Sequence, residues 1–124
     1  MGTKALVRVY DEEDALILYM FVQGDGHPRT LGAELHKKLG KLNLVNGFKK
    51  EGNEANGMGC FAAQLVAALK TNVGRFYLQA PSEDVSWAVY VYDFRVGEDR
   101  SHVHLRVTSG QEALYVGRLK SFRL

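Results

Sequence analysis

A chain of 124 residues, 46% hydrophobic and 24% charged, is long enough for a single domain with its own core and needs no disulfide or metal to fold. The net charge of +2 is too small to indicate a nucleic-acid-binding protein by itself, and the single cysteine, Cys60, excludes an internal disulfide. No apolar run reaches the ~18 residues of a transmembrane helix, so we expect a soluble cytoplasmic protein with no membrane partner.

Residues 4–22 predict a β-hairpin. Residues 4–10 alternate loosely between apolar and polar side chains, and residues 15–22 form a continuous apolar run. Between them stand four consecutive acids, Asp11 to Asp14, which cannot be buried together and therefore mark an exposed turn. A link this short favours antiparallel pairing of the two strands.

An amphipathic helix is predicted after the glycine-rich stretch "VQGDGHP" at 22–28. Thr30 is its predicted N-cap, and Gly40 is expected to weaken or end its last turn. The apolar residues recur at helical spacing and are Leu31, Leu35, Leu39 and Leu42.

Residues 43–57 contain three glycines and four asparagines and predict an irregular connection. A second helix is expected over residues 58–74, rich in alanine and buried on most sides. Its main apolar stripe consists of Met58, Phe61, Leu65 and Leu69.

The last third of the chain predicts four strands, at 75–80, 85–94, 102–108 and 112–122. The third of these alternates cleanly, and its expected inward residues are Val103, Leu105 and Val107. The element order β-β-α-α-β-β-β-β predicts one α+β domain over residues 1–124, with a mostly antiparallel sheet and two helices packed on one face.

Cys60 falls in the predicted first turn of the second helix, a position at which a helix N-terminus can activate a thiol. His27 and Asp25 complete a Cys-His-Asp set if the fold brings them to Cys60. The alternative is that Cys60 is a small buried apolar residue. We therefore assign no catalytic residue and keep Asp25, His27 and Cys60 as candidates.

Histidines offer two sets of metal ligands, Asp25 with His27 and His36, and His102 with His104. Neither set has a second ligand pair at a diagnostic spacing. Histidines that alternate outward along a strand are more often plain surface residues than ligands. We therefore expect no metal and no other cofactor.

Two glycine-rich helix starts resemble anion-binding sites. Gly26 precedes the first helix, although Asp25 beside it would repel phosphate. Asn56, Gly57 and Gly59 open the second helix without an acid among them. These four positions are candidates for ligand or anion binding, and ordinary turn chemistry is the alternative.

Positive charge is concentrated at the end of the chain, where residues 101–124 carry four cations and one acid. Arg118, Lys120 and Arg123 are therefore candidates for weak nucleic-acid contacts. The alternative is a solvated strand face.

The predicted strand at 85–94 is apolar on both faces. Its aromatic residues Trp87, Tyr90 and Tyr92 could stack bases. A core strand, or one with its outer face buried in a dimer, is the simpler interpretation. When helices cover only one face of a sheet, the other face is either covered by a partner or left exposed to solvent. We therefore expect a homodimer that forms through the sheet.

Two motifs, "DGHPRTLGAEL" and "ANGMGCFAAQLVAALK", resemble those of a family of small uncharacterised proteins from bacteria, phages and large DNA viruses. That family has Asp-Gly-Tyr-Pro before its first helix and Asn-Gly-Met-Gly at its second. The matching residues are Asp25, Gly26, Pro28, Gly32, Asn56 to Gly59, Ala62, Ala63 and Leu65.

The resemblance covers roughly residues 15–94 and departs from the family at His27, where the family usually has an aromatic residue. This departure argues against a catalytic role for His27. The resemblance implies no activity, but it makes a viral origin, with the host cytoplasm as location, one of our expectations.

We interpret the chain as a non-enzymatic binding or interaction protein that forms a homodimer and has a protein or small-ligand partner of unknown identity. The alternatives are a small enzyme built on Asp25, His27 and Cys60, and a weak nucleic-acid binder that uses the C-terminal cations. The distance between the two glycine-rich turns separates these hypotheses, because only converging turns would form one pocket.

Overall fold

Eight strands and two helices are formed by residues 2–47 and 53–123, which are the residues that the computed structural model of the chain describes. A turn of π-helix, Pro28–Gly32, leads into the first helix, and a 3₁₀ turn, Leu119–Ser121, follows the last strand. The helices are α1 (Ala33–Leu39) and α2 (Gly57–Leu69). The strands are β1 (Ala5–Tyr10), β2 (Leu16–Val22), β3 (Asn43–Val45), β4 (Glu54–Asn56), β5 (Phe76–Leu78), β6 (Tyr90–Val96), β7 (Val103–Ser109) and β8 (Glu112–Arg118).

Six strands form one sheet in the order β5-β2-β1-β6-β7-β8. β1 and β2 pair antiparallel across the acidic turn, as predicted. β1 also pairs in parallel with β6, and the other three pairings in this sheet are antiparallel. The predicted α+β class, with a mostly antiparallel sheet and two helices, is confirmed.

The main core lies between the helices and the inner face of the sheet. β1 contributes Ala5, Val7 and Val9 to it, all of them fully buried. Both predicted helical stripes are buried in this core, because their spacing turns the side chains to one side of each helix. The inward residues predicted for β7 are also buried there. The outward side of α2, at Gly59, Ala63 and Ala67, is exposed, so this helix is less enclosed than predicted.

The outer face of the sheet is covered in part by the chain itself. Leu6 and Val91 lie on this face in a second apolar cluster. The strand predicted for 85–94 is wrong in its first half, because β6 begins only at Tyr90 and the residues before it fold over the sheet. The residues that cover the outer face are Val85, Trp87 and Ala88.

Other element bounds differ from the prediction. α2 ends at Leu69 instead of reaching residue 74, because Lys70 has left the helical conformation. Within the connection predicted to be irregular, β3 and β4 pair in parallel, and residues 48–52 of that connection lie outside the described residues. The last strand ends at Arg118 and the chain then turns toward α1. In the described part of the chain, no helix is long and apolar enough to cross a membrane.

Candidate functional site

The first glycine-rich stretch forms a turn that is tied to the start of β1. The N–H of Gly26 donates to the carbonyl oxygen of Thr3 at 2.9 Å, and the hydroxyl of Tyr92 donates to the carbonyl oxygen of Gly26 at 2.7 Å. A Cβ atom at position 26 would lie 2.6 Å from the Cβ of Ala5, so only glycine fits. Asp25 is exposed at a φ of 56°, in the left-handed region that aspartate tolerates.

Arg75 holds the same turn from the other side. Its guanidinium group donates to the carbonyl oxygens of Gly24 at 3.2 Å and of Asp25 at 3.3 Å. It also forms an ion pair of 2.7 Å with Glu34 on α1. The turn is therefore built from main-chain contacts that connect β1, α1 and the segment after α2.

His27 caps the helical segment that follows the turn. Its Nδ1 atom accepts the N–H of Arg29 at 3.0 Å, and its ring lies edge-on to Tyr90 at 5.2 Å between centroids. Thr30 lies inside the π-helical turn, and its hydroxyl contacts the carbonyl oxygens of Asp25 and His27 at 2.9 Å each. The prediction of Thr30 as N-cap is wrong, because the imidazole three residues earlier already satisfies a free amide of the first turn.

The start of α2 is capped by a carboxylate from the acidic turn. Oε2 of Glu12 accepts the N–H of Met58 at 2.7 Å, and a Cβ atom at Gly57 would lie 3.0 Å from the same oxygen. A carboxylate here complements the positive end of the helix dipole. The anion site predicted at Asn56, Gly57 and Gly59 thus already contains an anion of the protein itself.

The two glycine-rich turns lie at opposite ends of β1. Gly26 contacts Thr3 and Ala5 at the start of this strand, whereas Glu12, which caps α2, follows Tyr10 at its end. Six residues of strand extend over roughly 17 Å. The two turns therefore do not form the walls of one pocket.

The three catalytic candidates are not brought together. Asp25 and His27 belong to the turn at the start of β1, whereas Cys60 lies in the first turn of α2, near the other end. Cys60 is half-buried, and Nε2 of Gln64 donates to its Sγ atom at 3.4 Å. These residues do not form a Cys-His-Asp set.

His102 and His104 lie near the ends of β7 and β8 on the outer side of the sheet. Nδ1 of His102 is 2.8 Å from a carboxylate oxygen of Asp99, which also pairs with Arg118 at 3.1 Å. The hydrogen bond to His102, the N–H of Ser101 and the charge of Arg118 lower the pKa of Asp99 to about 2. Within residues 2–47 and 53–123, no group of three or more His, Cys, Asp or Glu side chains could hold a metal ion.

The aromatic residues considered for base stacking do not share a surface. Tyr92 is fully buried beneath the helices, and burial raises the pKa of its hydroxyl far above the usual value. Tyr90 packs on the same core, whereas Trp87 covers the opposite face of the sheet. Of the cations near them in sequence, Arg95 covers the ring of Tyr10 at 3.8 Å, and Arg106 is exposed on the outer face.

The strongest candidate site is a cleft between α1 and the C-terminal segment. Two adjoining depressions, of about 670 and 420 Å³, share His36 as a common wall. No acidic residue in the described part of the chain lines either depression. We call this surface the basic cleft, and its five cations are Arg29, Lys37, Lys41, Lys120 and Arg123.

Buried side chains fix the C-terminal segment against α1. Leu119 and Phe122 are 2% and 4% exposed, and the ring of Phe122 packs edge-on against Tyr115 at 5.0 Å. A Cβ atom at Gly32 would lie 2.8 Å from the ring of Phe122, which explains the glycine at this position. Because the 3₁₀ turn directs Leu119 and Phe122 inward, the cations beside them in sequence remain exposed.

Polar contacts also join the two walls of the basic cleft. Nε2 of His36, on α1, donates to the carbonyl oxygen of Lys120 at 2.9 Å. The ammonium group of Lys120 donates to Oδ1 of Asn43 at 3.1 Å. Within residues 2–47 and 53–123, no ion pair involves any of the five cations.

The structure divides the predicted nucleic-acid residues between two surfaces. Lys120 and Arg123 line the basic cleft, whereas Arg118 lies on the outer face and pairs with Asp99. Sequence reasoning missed the contribution of Lys37 on α1, of Lys41 just after this helix and of Arg29 before it. The available signal was the polar face of this helix, which carries three lysines and only one acid, Glu34.

Comparisons of the chain with protein-family models, with curated proteins and with solved structures find no match in any of the three. The resemblance of the two helix-start motifs to the bacterial, phage and viral family therefore stays a prediction. Within this chain, Gly26 and Gly32 of those motifs have a structural explanation in the close contacts described above.

Proposed function

We propose that this protein acts by binding, and that its partner is a nucleic acid held through its phosphates in the basic cleft. One observation carries the proposal: among the described residues, five lysines and arginines line the two adjoining depressions of the basic cleft, and no acidic residue does so. Such segregation is notable in a chain whose net charge is only +2, because most of its cations must be offset by acids elsewhere.

The arrangement favours a polyanion over a small anion. Arg29 and Lys41 are 12 residues apart along the α1 wall, and Lys120 and Arg123 stand on the opposite wall. α1 itself has seven residues and extends over roughly 10 Å at about 1.5 Å each, and Arg29 and Lys41 lie beyond its two ends, so the α1 wall is longer than one phosphate group. A chain of phosphates can contact all five cations and release a counterion at each contact.

Two features support binding as the function. Cys60 lies near the opposite end of β1 from Asp25 and His27, and the described lining of the basic cleft contains neither a thiol nor a carboxylate. The single histidine of the cleft, His36, has its Nε2 atom engaged with the main chain of Lys120. The cleft is thus equipped for electrostatic attraction.

Fluorescence anisotropy with a labelled DNA duplex about two helical turns long tests the proposal. We expect binding at low salt, with a logarithm of the association constant that falls linearly with the logarithm of the salt concentration. Lys41→Glu and Arg123→Glu should each weaken binding about tenfold at low salt.

Arg106→Glu is the matched control, because it makes the same charge change at an exposed position on the outer face of the sheet. It should leave the affinity within about twofold of the wild type. Equal losses in all three variants would show that the basic cleft is not the binding site. Absence of salt-dependent binding would reject the proposed function.

A further inference from the structure

We infer that the basic cleft takes double-stranded nucleic acid and contacts it along the backbone, irrespective of base sequence. This inference rests on the proposed function and narrows it to one class of ligand. It is carried by the composition of the cleft, by the spacing of its cations and by its open shape.

The described lining of the basic cleft offers no surface on which unpaired bases could stack. Among its described lining residues, the only aromatic rings belong to Phe122 and His36. Phe122 is 4% exposed and packs against Tyr115, and His36 is half-buried and bonded to the carbonyl oxygen of Lys120. Proteins that bind single strands combine a cationic groove with aromatic platforms for the bases. A duplex needs no such platform, because its bases are already stacked on one another.

The α1 wall is long enough to contact several phosphates of a duplex backbone. Arg29 and Lys41 lie beyond the two ends of α1, whose seven residues extend over roughly 10 Å, or about three base pairs at 3.4 Å each. Lys120 and Arg123 lie across the cleft, where they can contact further phosphates. All five cations are exposed, so a wide ligand can reach them without entering a deep pocket.

The cleft has few groups that could read a base sequence. Asn53 is the only side-chain amide among its described lining residues, and the remaining polar side chains are lysines, arginines and His36, whose Nε2 is engaged with the main chain of Lys120. Contacts between such cations and phosphates set position and affinity without sequence information. We therefore expect duplexes of different sequence to bind alike.

Three DNA probes of equal length test the inference by anisotropy: a duplex, a second duplex of shuffled sequence, and one single strand of the first duplex. We expect the first duplex to bind about tenfold more tightly than the single strand at equal salt, and the two duplexes to agree within about twofold. The salt slope for the duplex should be about −4.5 if all five cations contact phosphates. Lys41→Gln, a milder change at an exposed position, should reduce the magnitude of this slope by about one.

The outcomes separate the inference from the proposed function. A single strand that binds as tightly as the duplex, with losses in the cleft variants, overturns the inference and leaves nucleic-acid binding in place. A difference of about tenfold or more between the two duplexes overturns sequence independence. If none of the three probes binds, the proposed function itself fails, and the inference fails with it. Circular dichroism of each variant shows whether a loss of binding reflects a loss of fold.

Discussion

The carboxylate of Glu12, in the turn between β1 and β2, accepts the main-chain N–H of Met58 in the first turn of α2 at 2.7 Å. One of four consecutive acids thus has a specific partner 46 residues away along the chain. The contact fixes the start of α2 against the end of the β-hairpin.

Replacement of Glu12 by alanine should lower the free energy of unfolding by about 1 kcal/mol, because an N–H of the first turn of α2 loses its charged acceptor. Glu13→Ala, at the exposed neighbouring position, is the control and should change it by less than about 0.5 kcal/mol. Urea denaturation measures both values. Equal effects of the two substitutions would show that the cap contributes nothing measurable.

The two glycine-rich motifs should respond in opposite ways to alanine. Gly26→Ala places a Cβ atom 2.6 Å from the Cβ of Ala5 and 2.7 Å from the carbonyl oxygen of Thr3, so we expect a loss of about 2 kcal/mol or more. Gly59→Ala meets no atom within 4 Å and should be neutral or stabilise α2 by about 0.5 kcal/mol. Urea denaturation of both variants measures their free energies of unfolding. Similar values for the two variants would contradict the close approach of the chain at Gly26.

Tyr92→Phe removes the hydrogen bond to the carbonyl oxygen of Gly26 and should cost about 1–2 kcal/mol, because the carbonyl loses its buried partner. Tyr77→Phe, in which the replaced tyrosine is exposed, is the matched control and should cost less than about 0.5 kcal/mol.

Tyr92 also predicts how the stability of the fold changes at alkaline pH. Burial raises the pKa of Tyr92 above its ordinary value of 10.0, so the contribution of Tyr92 to the free energy of unfolding is complete below pH 10 and decreases above it, where the tyrosine of the unfolded state ionises. The stability of the wild type should therefore fall more steeply above pH 10 than that of Tyr92→Phe. Parallel curves would show that Tyr92 is not shielded from ionisation.

The lowered pKa of Asp99 predicts that the stability of the fold depends on pH in the acidic range. Its pKa is lowered from 3.8 to about 2, so its contribution to stability is present above pH 4 and is lost as the pH falls toward 2. The stability difference between the wild type and Asp99→Asn should therefore decrease as the pH falls from about 5 to 2. Glu98→Gln, at the exposed preceding residue, serves as the control and should show no such change. Thermal denaturation across this pH range measures the effect, and a difference that does not decrease between pH 5 and pH 2 would contradict it.

Homodimer formation through the sheet stays a prediction, although Trp87 and its neighbours already cover part of the outer face. The exposed apolar residues at the β2–β5 edge are Ile17, Tyr77 and Leu78, with 41%, 42% and 67% exposure. Light scattering after size exclusion should give twice the mass of one chain, and Leu78→Lys should shift it toward the monomer. Val116→Lys, at the opposite edge strand, is the control. A strictly monomeric wild type at every concentration would exclude the dimer.

Local patterns in the sequence were sufficient for most of the framework. The acidic turn between two apolar runs predicted the β1–β2 hairpin, and the spacing of four leucines predicted the buried side of α1. These predictions succeeded because the period of a helix or strand determines which side chains share a face, and this period is visible within about ten residues. The strand predicted for 85–94 shows the limit of this reasoning. Val85 and Trp87 have strand-like composition, yet they fold over Leu6 and Val91 because burial there outweighs local preference.

The basic cleft could not be predicted from such local patterns. Its two walls come from segments that the chain separates by 84 residues, as the contact between His36 and Lys120 shows. The sequence alone determined that cations lie on the polar face of α1 and near the C-terminus. Only the tertiary structure decided that they line the same cleft, because the burial of Leu119 and Phe122 against the core turns the end of the chain toward α1. It also decided that the two glycine-rich turns lie at opposite ends of β1, since the direction of that strand carries them apart.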